Sequence, residues 1–441
     1  MAVVYRGLRP VVALLSLNWY RRKDPRIPLG IAYIYSELVK SDSLKKVIDV
    51  KLIQSDVREN MSDVLHEIID IDPLILGISV YAWNAEQVKV LLRSLAKLGY
   101  KGNIVLGGPE ITYGGNELND EFSFAHYFVK GYGESAFVDL VKSILKQVKP
   151  TTMGVYRKGE PIRNELATSQ PTVENSPFAR SDILELIKGD NFIRWQTQRG
   201  CVFRCSFCAF RSPNGNINQN DLEVVEFELR KIKDVGILDV AVLDPVFFLN
   251  HDRAMGILDL ISSIVPEARF SIQTRFEHLT KEIISKVSKL NIRLECGLQT
   301  LDERVQRKIL RVNNRSQVID IINNLNRNKV EFETHLIYGL PEQDFMSFYN
   351  DVSLLVNLGC KKIRVFPLSL LRGTEMAREF ENSNDLTFSP IFPREVLRTK
   401  WIDLNTMFTI KKFQKLLEDN SSLITEEIFA FLNSIKEVNN C

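Results

Sequence analysis

Three thiols set close together, Cys201, Cys205 and Cys208, are the residues whose type and spacing point most directly to chemistry. The run Arg199-Gly-Cys201-Val-Phe-Arg-Cys205-Ser-Phe-Cys208 spaces them C-x3-C-x2-C on one short loop, so their sulfurs can converge on a single centre. Thiolates are the protein ligands of iron–sulfur clusters. Three of them hold a four-iron cluster at three corners and leave one iron open to an exogenous molecule. A structural zinc site would want a fourth Cys or His, and none follows closely. Gly200 supplies backbone freedom where the loop begins. Arg199 reads either as a counter-charge for a cluster or as the partner of a carboxylate.

The other cysteines do not extend this set. Cys296 lies within a strand pattern and reads as a small core residue, with a substrate-facing thiol as the alternative; Cys360 and Cys441 read as incidental. A secreted disulfide framework would scatter cysteines in pairs, whereas none precedes residue 200 here, which predicts a cytoplasmic protein. His66, His126, His251, His278 and His335 are far apart and form no metal-ligand pair. His335 reads as a satisfied core residue, with a proton carrier as the alternative. The 57 basic and 55 acidic residues leave a net charge of +2, no footprint for nucleic acid or an acidic membrane. The N-terminus lacks a signal peptide's apolar run. No apolar stretch approaches the ~20 residues of a membrane span.

The elements that must position the cysteine loop follow from hydrophobic periodicity. Short apolar runs (Val11–Leu17, Val50–Leu52, Leu74–Val80, Asn103–Gly107, His126–Val129) alternate with helical patterns over residues 1–150. This predicts a doubly wound, Rossmann-like parallel sheet with ligands at its carboxyl ends. Residues 151–187, rich in Pro and polar residues, read as a linker with one hairpin. Over 188–388 six further strand–helix units predict a parallel partial (β/α)6 barrel, with the cysteine loop after its first strand, at the end where barrel active sites are built. Residues 389–441 read as a helical C-terminal extension with no further strands. The fold class is therefore α/β throughout.

The cysteine loop, following Arg-Gly and with Phe207 before its last cysteine, resembles that of the radical S-adenosylmethionine (SAM) enzymes. Leu243-Asp244-Pro, Gln273-Thr-Arg275-Phe-Glu277, Gly297-Leu-Gln299, Tyr338-Gly339-Leu-Pro-Glu342 and Arg372-Gly-Thr374 follow at successive strand ends. Upstream, Ile27-Pro-Leu-Gly30, Leu106-Gly107-Gly108-Pro109 and Gly131-Tyr-Gly133-Glu134 are similar to the N-terminal domain of the members that bind cobalamin. The resemblance spans about residues 10–375.

It implies a [4Fe-4S] cluster on the three cysteines, SAM chelating the open iron, and reductive cleavage to a 5′-deoxyadenosyl radical that abstracts hydrogen from carbon. It further implies that Phe207 packs on the adenine, against simple loop packing, and that Asp244 holds the amino group, against a capping aspartate. Arg275 would take the carboxylate and Glu277 the ribose, against a plain surface ion pair. Gln299 reaches SAM or makes a structural hydrogen bond, and Gly339 shapes a turn beside the adenine. For cobalamin the resemblance implicates Ser79, Tyr81, Trp83, Gly107, Gly108, Gly131, Gly133 and Glu134. The Asp-x-His-x-x-Gly loop that gives many cobalamin proteins an axial histidine is missing, and His66 sits on a helical pattern. Binding without a protein imidazole, or a domain that has lost the cofactor, are the two readings left.

The activity implied is cobalamin-dependent methylation of an unactivated carbon. The same fold running cyclisation, oxidation or rearrangement is the alternative, and a non-catalytic cobalamin or cluster sensor is the alternative of a different class. Methylthiotransferases carry three further cysteines in their N-terminal domain, and this chain has none there. A small-molecule or peptide substrate and an electron donor such as flavodoxin or ferredoxin are the expected partners.

Overall fold

The computed structural model describes residues 9–19, 27–211 and 217–439; Cys441 lies outside them. They divide into two compact units, one running to Arg194 and including Glu226–Gly236, the other holding Trp195–Val225 and everything from Ile237.

The first unit is built on β1 (Val11–Asn18), β2 (Asp49–Asp56), β3 (Ile75–Ser79), β4 (Asn103–Gly107), β5 (Tyr127–Val129) and β6 (Val155–Arg157). They are ordered β2-β1-β3-β4-β5-β6, the first five parallel and β6 antiparallel to β5. Alternation along β1 explains its continuous apolar run. Ala13, Leu15 and Leu17 enter one buried cluster with Val88, Leu91 and Leu95. Val12 and Leu14 enter another, on the opposite face, with Ile31, Leu38 and Val141. Both faces of the strand are covered, and each such side chain contributes about 1.5–3 kcal/mol. Strand order reverses beside β1, so the ligand crevice of this sheet lies at the carboxyl ends of β1 and β3. The stretch expected to be a linker completes this sheet: β6 pairs with β5 instead of forming a hairpin of its own.

The second sheet has as its edge β7 (Phe192–Trp195), the strand along which the chain passes from the first unit to the second; the second unit then carries a small ribbon of β8 (Gln198–Arg199) and β9 (Asn218–Gln219), followed by β10 (Asp239–Val242), β11 (Arg269–Thr274), β12 (Ile292–Gln299), β13 (Glu331–Tyr338) and β14 (Ile363–Pro367). The sheet runs β14-β13-β12-β11-β10-β7, parallel from β10 to β14. Alternate residues of β12 explain its two faces. Leu294, Cys296 and Leu298 are fully buried, whereas Arg293, Glu295, Gly297 and Gln299 form a polar, partly accessible row. Cys296 is thus a core residue.

Strands do not stop near residue 390, as the sequence pattern suggested. β15 (Leu386–Phe388) and β16 (Val396–Thr399) form an antiparallel hairpin, which the helix Leu404–Asp419 follows. That helix buries Met407, Ile410 and Phe413, and the Ile363 amide donates to the Ser422 carbonyl at 2.8 Å. The C-terminal segment is therefore an integral part of the second unit. No described helix is long and apolar enough to cross a membrane.

Candidate active site

The cysteine loop is held at its start by one buried carboxylate. Asp244, two residues past the end of β10, accepts the backbone N–H groups of Thr197 (2.7 Å) and Gln198 (3.0 Å) and the Thr197 hydroxyl (2.5 Å). Arg253 crosses the same point, donating to the Thr197 hydroxyl at 3.1 Å and to the carbonyls of Thr197 and Asn220 at 3.0 and 2.9 Å. Burial pushes Asp244 up to about 6, against the three hydrogen bonds and Arg253, which favour its charged form. With 1% exposure and both oxygens engaged, Asp244 is a positioning group for the loop, close to the capping role weighed from sequence.

Past Gly200, whose φ of +83° suits glycine, the three cysteines follow. Cys205 is buried and Cys201 and Cys208 half-buried. The Cys208 amide donates to the Cys205 carbonyl at 3.1 Å and the Phe210 amide to the Cys208 sulfur at 3.4 Å. Burial raises the Cys201 thiol and takes Cys208 up to about 11, so iron would have to displace their protons. A single tetrahedral ion would draw three thiolates to about 4 Å of one another. Among the described residues, the three metal-capable side chains with ligand atoms all within 4.8 Å are instead Glu295, Glu333 and His335.

Two segments carry the groups around the sulfurs. Arg275, past β11, lies over the Phe203 ring at 4.2 Å and donates to the Val312 carbonyl at 2.8 Å and to Glu277 at 3.5 Å. At 8% and 19% side-chain exposure, Arg275 and Glu277 are no surface pair. The Glu277 Oε1 is buried with no hydrogen-bond partner, an acceptor left open at this position. Sequence reasoning missed Arg311. Its guanidinium is buried, with Nη1 3.7 Å from the Cys205 sulfur and Nη2 donating to the Gly297 carbonyl. In the sequence it is one basic residue in a basic run, and only its place just beyond the short helix Glu303–Lys308 sets it apart. Gln299 has a positive φ of +71°. A Cβ on Gly297 would meet the Gln299 Nε2 at 2.9 Å and the Arg311 Nη2 at 3.2 Å, so the missing side chain makes room for both.

Phe207 is half-buried within the loop. At Gly339 the space of a side chain is filled by Val396 and Met407, so packing accounts for that glycine. His335 is half-buried; its Nε2 lies 2.7 Å from Glu333 and its ring edge-on to Phe366. Burial works to raise Glu333, but His335, Arg364 and Arg293 outweigh it and hold the carboxyl at about 2. Two arginines beside this triad make it an ion-pair network in preference to a metal site.

In the first unit, Ser79, Tyr81 and Trp83 lie at or just past the carboxyl end of β3, all partly accessible. The Tyr81 and Trp83 rings stack at 4.2 Å. Asn84 fixes this turn, accepting from the Tyr81 amide at 2.8 Å and donating to the carbonyls of Leu17 and Ser79. Gly107 ends β4 with only ordinary contact where a Cβ would lie (Val129 O, 3.6 Å), and Gly133 is little tighter at 3.3 Å. Gly108 and Gly131 differ: a Cβ would strike the Val80 carbonyl at 2.6 Å and the Ala167 backbone, respectively. Those two are glycines because chain packs on chain. Glu134 is buried in the first turn of the helix Glu134–Leu145. His66 is exposed on the helix Met61–Ile71, and His126 accepts the Ile104 amide at 3.0 Å, so neither reaches the crevice. Small residues and a stacked aromatic pair at the strand ends fit a flat macrocycle bound without a protein imidazole.

Fold and site define a two-unit α/β protein, one sheet with small residues and a stacked aromatic pair at its carboxyl edge and one with a three-cysteine loop at its strand ends. Residues 195–354 match the radical SAM superfamily and residues 27–141 the B12 binding domain. The chain thus pairs a region similar to radical SAM domains with a region similar to B12 binding domains. The first domain type brings a [4Fe-4S] cluster and SAM, the second cobalamin. An uncharacterised methyltransferase of Pyrococcus horikoshii is 29% identical over 241 residues, 52% of this chain and 51% of that protein. The cobalamin-dependent radical SAM methyltransferase TokK of Streptomyces tokunonensis is 24% identical over 392 residues, 82% of this chain and 53% of its own. The chain thus spans about half the length of these relatives. The structure of the methyltransferase TsrM from Kitasatospora setae, with cobalamin and a [4Fe-4S] cluster bound, superposes with a TM-score of 0.71 at 16% identity, covering 87% of this chain and 78% of that one. It shares the fold.

Proposed function

We propose that this protein is a cobalamin-dependent radical SAM methyltransferase acting on an unactivated carbon of a small-molecule or peptide substrate in the cytoplasm. The observation that carries the reading is the presence, in one chain, of the C-x3-C-x2-C loop at the strand ends of the second sheet and a carboxyl edge with small residues and a stacked Tyr81–Trp83 pair in the first. When bound, the cluster and SAM supply hydrogen-atom abstraction from carbon, and cobalamin supplies a transferable methyl group. This chain's residues do the rest. Cys201, Cys205 and Cys208 hold the cluster, and Asp244 and Arg253 fix the start of their loop. Buried Arg275 and Arg311 supply positive charge beside the sulfurs and suit a carboxylate, while the partnerless Glu277 oxygen accepts from a hydroxyl. Gln299 folds over Gly297 next to Arg311, where its amide can orient the same ligand. Ser79, Gly107 and the Tyr81–Trp83 pair line the edge where the corrin would rest.

Anaerobic reconstitution tests this directly. The ultraviolet–visible spectrum should show both cluster and cobalamin, and reductant with SAM should yield 5′-deoxyadenosine. Protein that takes up no cobalamin loses the methylation reading; protein that holds a cluster yet never cleaves SAM loses the enzymatic one.

A further inference from the structure

We propose that Arg311 raises the reduction potential of an iron–sulfur cluster held by the three cysteines, and that Gln306 and Asn313 are the residues that position it. The inference rests on the cluster reading. Arg311 is 7% exposed and forms no ion pair among the described residues. Its fork reaches the Gly297 carbonyl through Nη2 and the Cys205 sulfur, 3.7 Å from Nη1, while Nε is buried without a partner. A buried charge is costly unless an opposite charge meets it. Of the two acceptors that Arg311 touches, only the Cys205 sulfur can become an anion. Reduction adds one electron, from an external reductant, and so one negative charge to the cluster. A fixed cation and an N–H donor beside a ligand sulfur favour that reduced form.

The segment that carries Arg311 is pinned in place. Beyond the helix Glu303–Lys308 the chain turns at Leu310, which is in the left-handed region with φ +52°, and the Arg311 amide donates to the Gln306 carbonyl at 3.0 Å. Two buried side-chain amides clamp this turn to the carboxyl end of β12. The Gln306 Nε2 donates to the Thr300 carbonyl at 3.1 Å, and its Oε1 accepts the Asn313 amide at 3.0 Å. The Asn313 Nδ2 donates to the carbonyls of Leu298 and Thr300 at 2.8 and 3.1 Å. Asp351, on the helix Phe345–Asn357, fixes the same strand end by accepting the Thr300 hydroxyl and the Leu301 amide. Gln306 and Asn313 bond only to backbone here, so they act on the sulfur through the place they give Arg311. The turn meets the cysteine loop at one other point, where the Ser206 amide donates to the Ile309 carbonyl at 2.9 Å. A double variant separates the two routes.

The test is a mediated potentiometric titration of the cluster-loaded full chain with dithionite and without SAM, followed by the electron paramagnetic resonance signal of the reduced cluster. Arg311→Met should disfavour reduction about ten-fold or more, a shift of about 59 mV to lower potential for one electron. Gln306→Met and Asn313→Leu should each move the equilibrium the same way by about three-fold or more, and Asn313→Leu added to Arg311→Met should move it no further. A wild-type potential in Arg311→Met overturns the inference whether or not the other variants fold. Gln306→Met and Asn313→Leu proteins that lose stability to denaturant yet keep the wild-type potential overturn it too, since those residues would then only hold the fold. A fully additive shift in the double variant has the same consequence, because it routes their effect past Arg311. Protein that takes up no iron and sulfide refutes the cluster reading itself; a full cluster with unmoved potentials refutes this inference alone.

Discussion

Replacing Asp244 tests how the cysteine loop is built. Asp244→Ala leaves the buried amides of Thr197 and Gln198 and the Thr197 hydroxyl without an acceptor. Each unsatisfied donor costs about 1–3 kcal/mol, and Arg253 loses the charge that offsets its burial. Partial rescue by water and relaxation brings the expected loss to about 3–5 kcal/mol, concentrated where the loop begins. Asp244→Asn keeps an acceptor for both amides and should lose only about 1–2 kcal/mol. The assay is iron and sulfide per chain after anaerobic reconstitution, read beside chemical denaturation of the apo-protein. The Ala variant should bind markedly less cluster than wild type, and the Asn variant close to the full amount. An Ala variant with wild-type stability and full cluster content would refute the positioning role. A variant of unchanged stability and cluster content that has lost only SAM affinity would return Asp244 to the direct contact first inferred from sequence.

Asp351, buried and accepting the Thr300 hydroxyl at 2.7 Å and the Leu301 amide at 3.0 Å, is pushed by burial up to about 7. Its folded value exceeds its unfolded one, so the native state holds the extra proton and stability falls as pH rises from about 4 to 7; denaturation of Asp351→Asn against wild type should show a difference that shifts across that window and is flat above it. Glu333 runs the other way: held at about 2, it stabilises fully above its ordinary value of 4.5 and loses that as pH falls toward 2, and Glu333→Gln should flatten this acid limb in the same measurement. Gly297→Ala would press on the Gln299 and Arg311 side chains; these are ends of long chains, so the fold should survive, while SAM affinity measured by equilibrium dialysis should drop several-fold.

Much of the framework was legible in the sequence. The uninterrupted apolar run of β1 announces a strand covered on both faces, and its observed span, Val11–Asn18, differs by one residue from the expected one. The cysteine spacing is a local property of one loop, so ligand number and approximate geometry are written in the chain. β15 and β16 escaped notice because a short surface hairpin has no long periodic pattern, and β6 because its partner is the edge of a sheet more than twenty residues earlier.

Site assignment divides along the same line. Residue type and order sufficed to place Cys201, Cys205 and Cys208 together and to mark Arg275 and Glu277 at a strand end. What each polar side chain does depended on neighbours distant in sequence. Asp244 is consumed by a loop 46 to 47 residues upstream, Gly339 by Val396 and Met407, and Gly131 by Ala167. Arg311, anonymous among basic residues, reaches a sulfur 106 positions away. Spacing along the chain determines which ligands can share a loop. Only tertiary packing determines which buried charges meet, because desolvation and hydrogen-bond partners are supplied by segments that the local sequence does not contain.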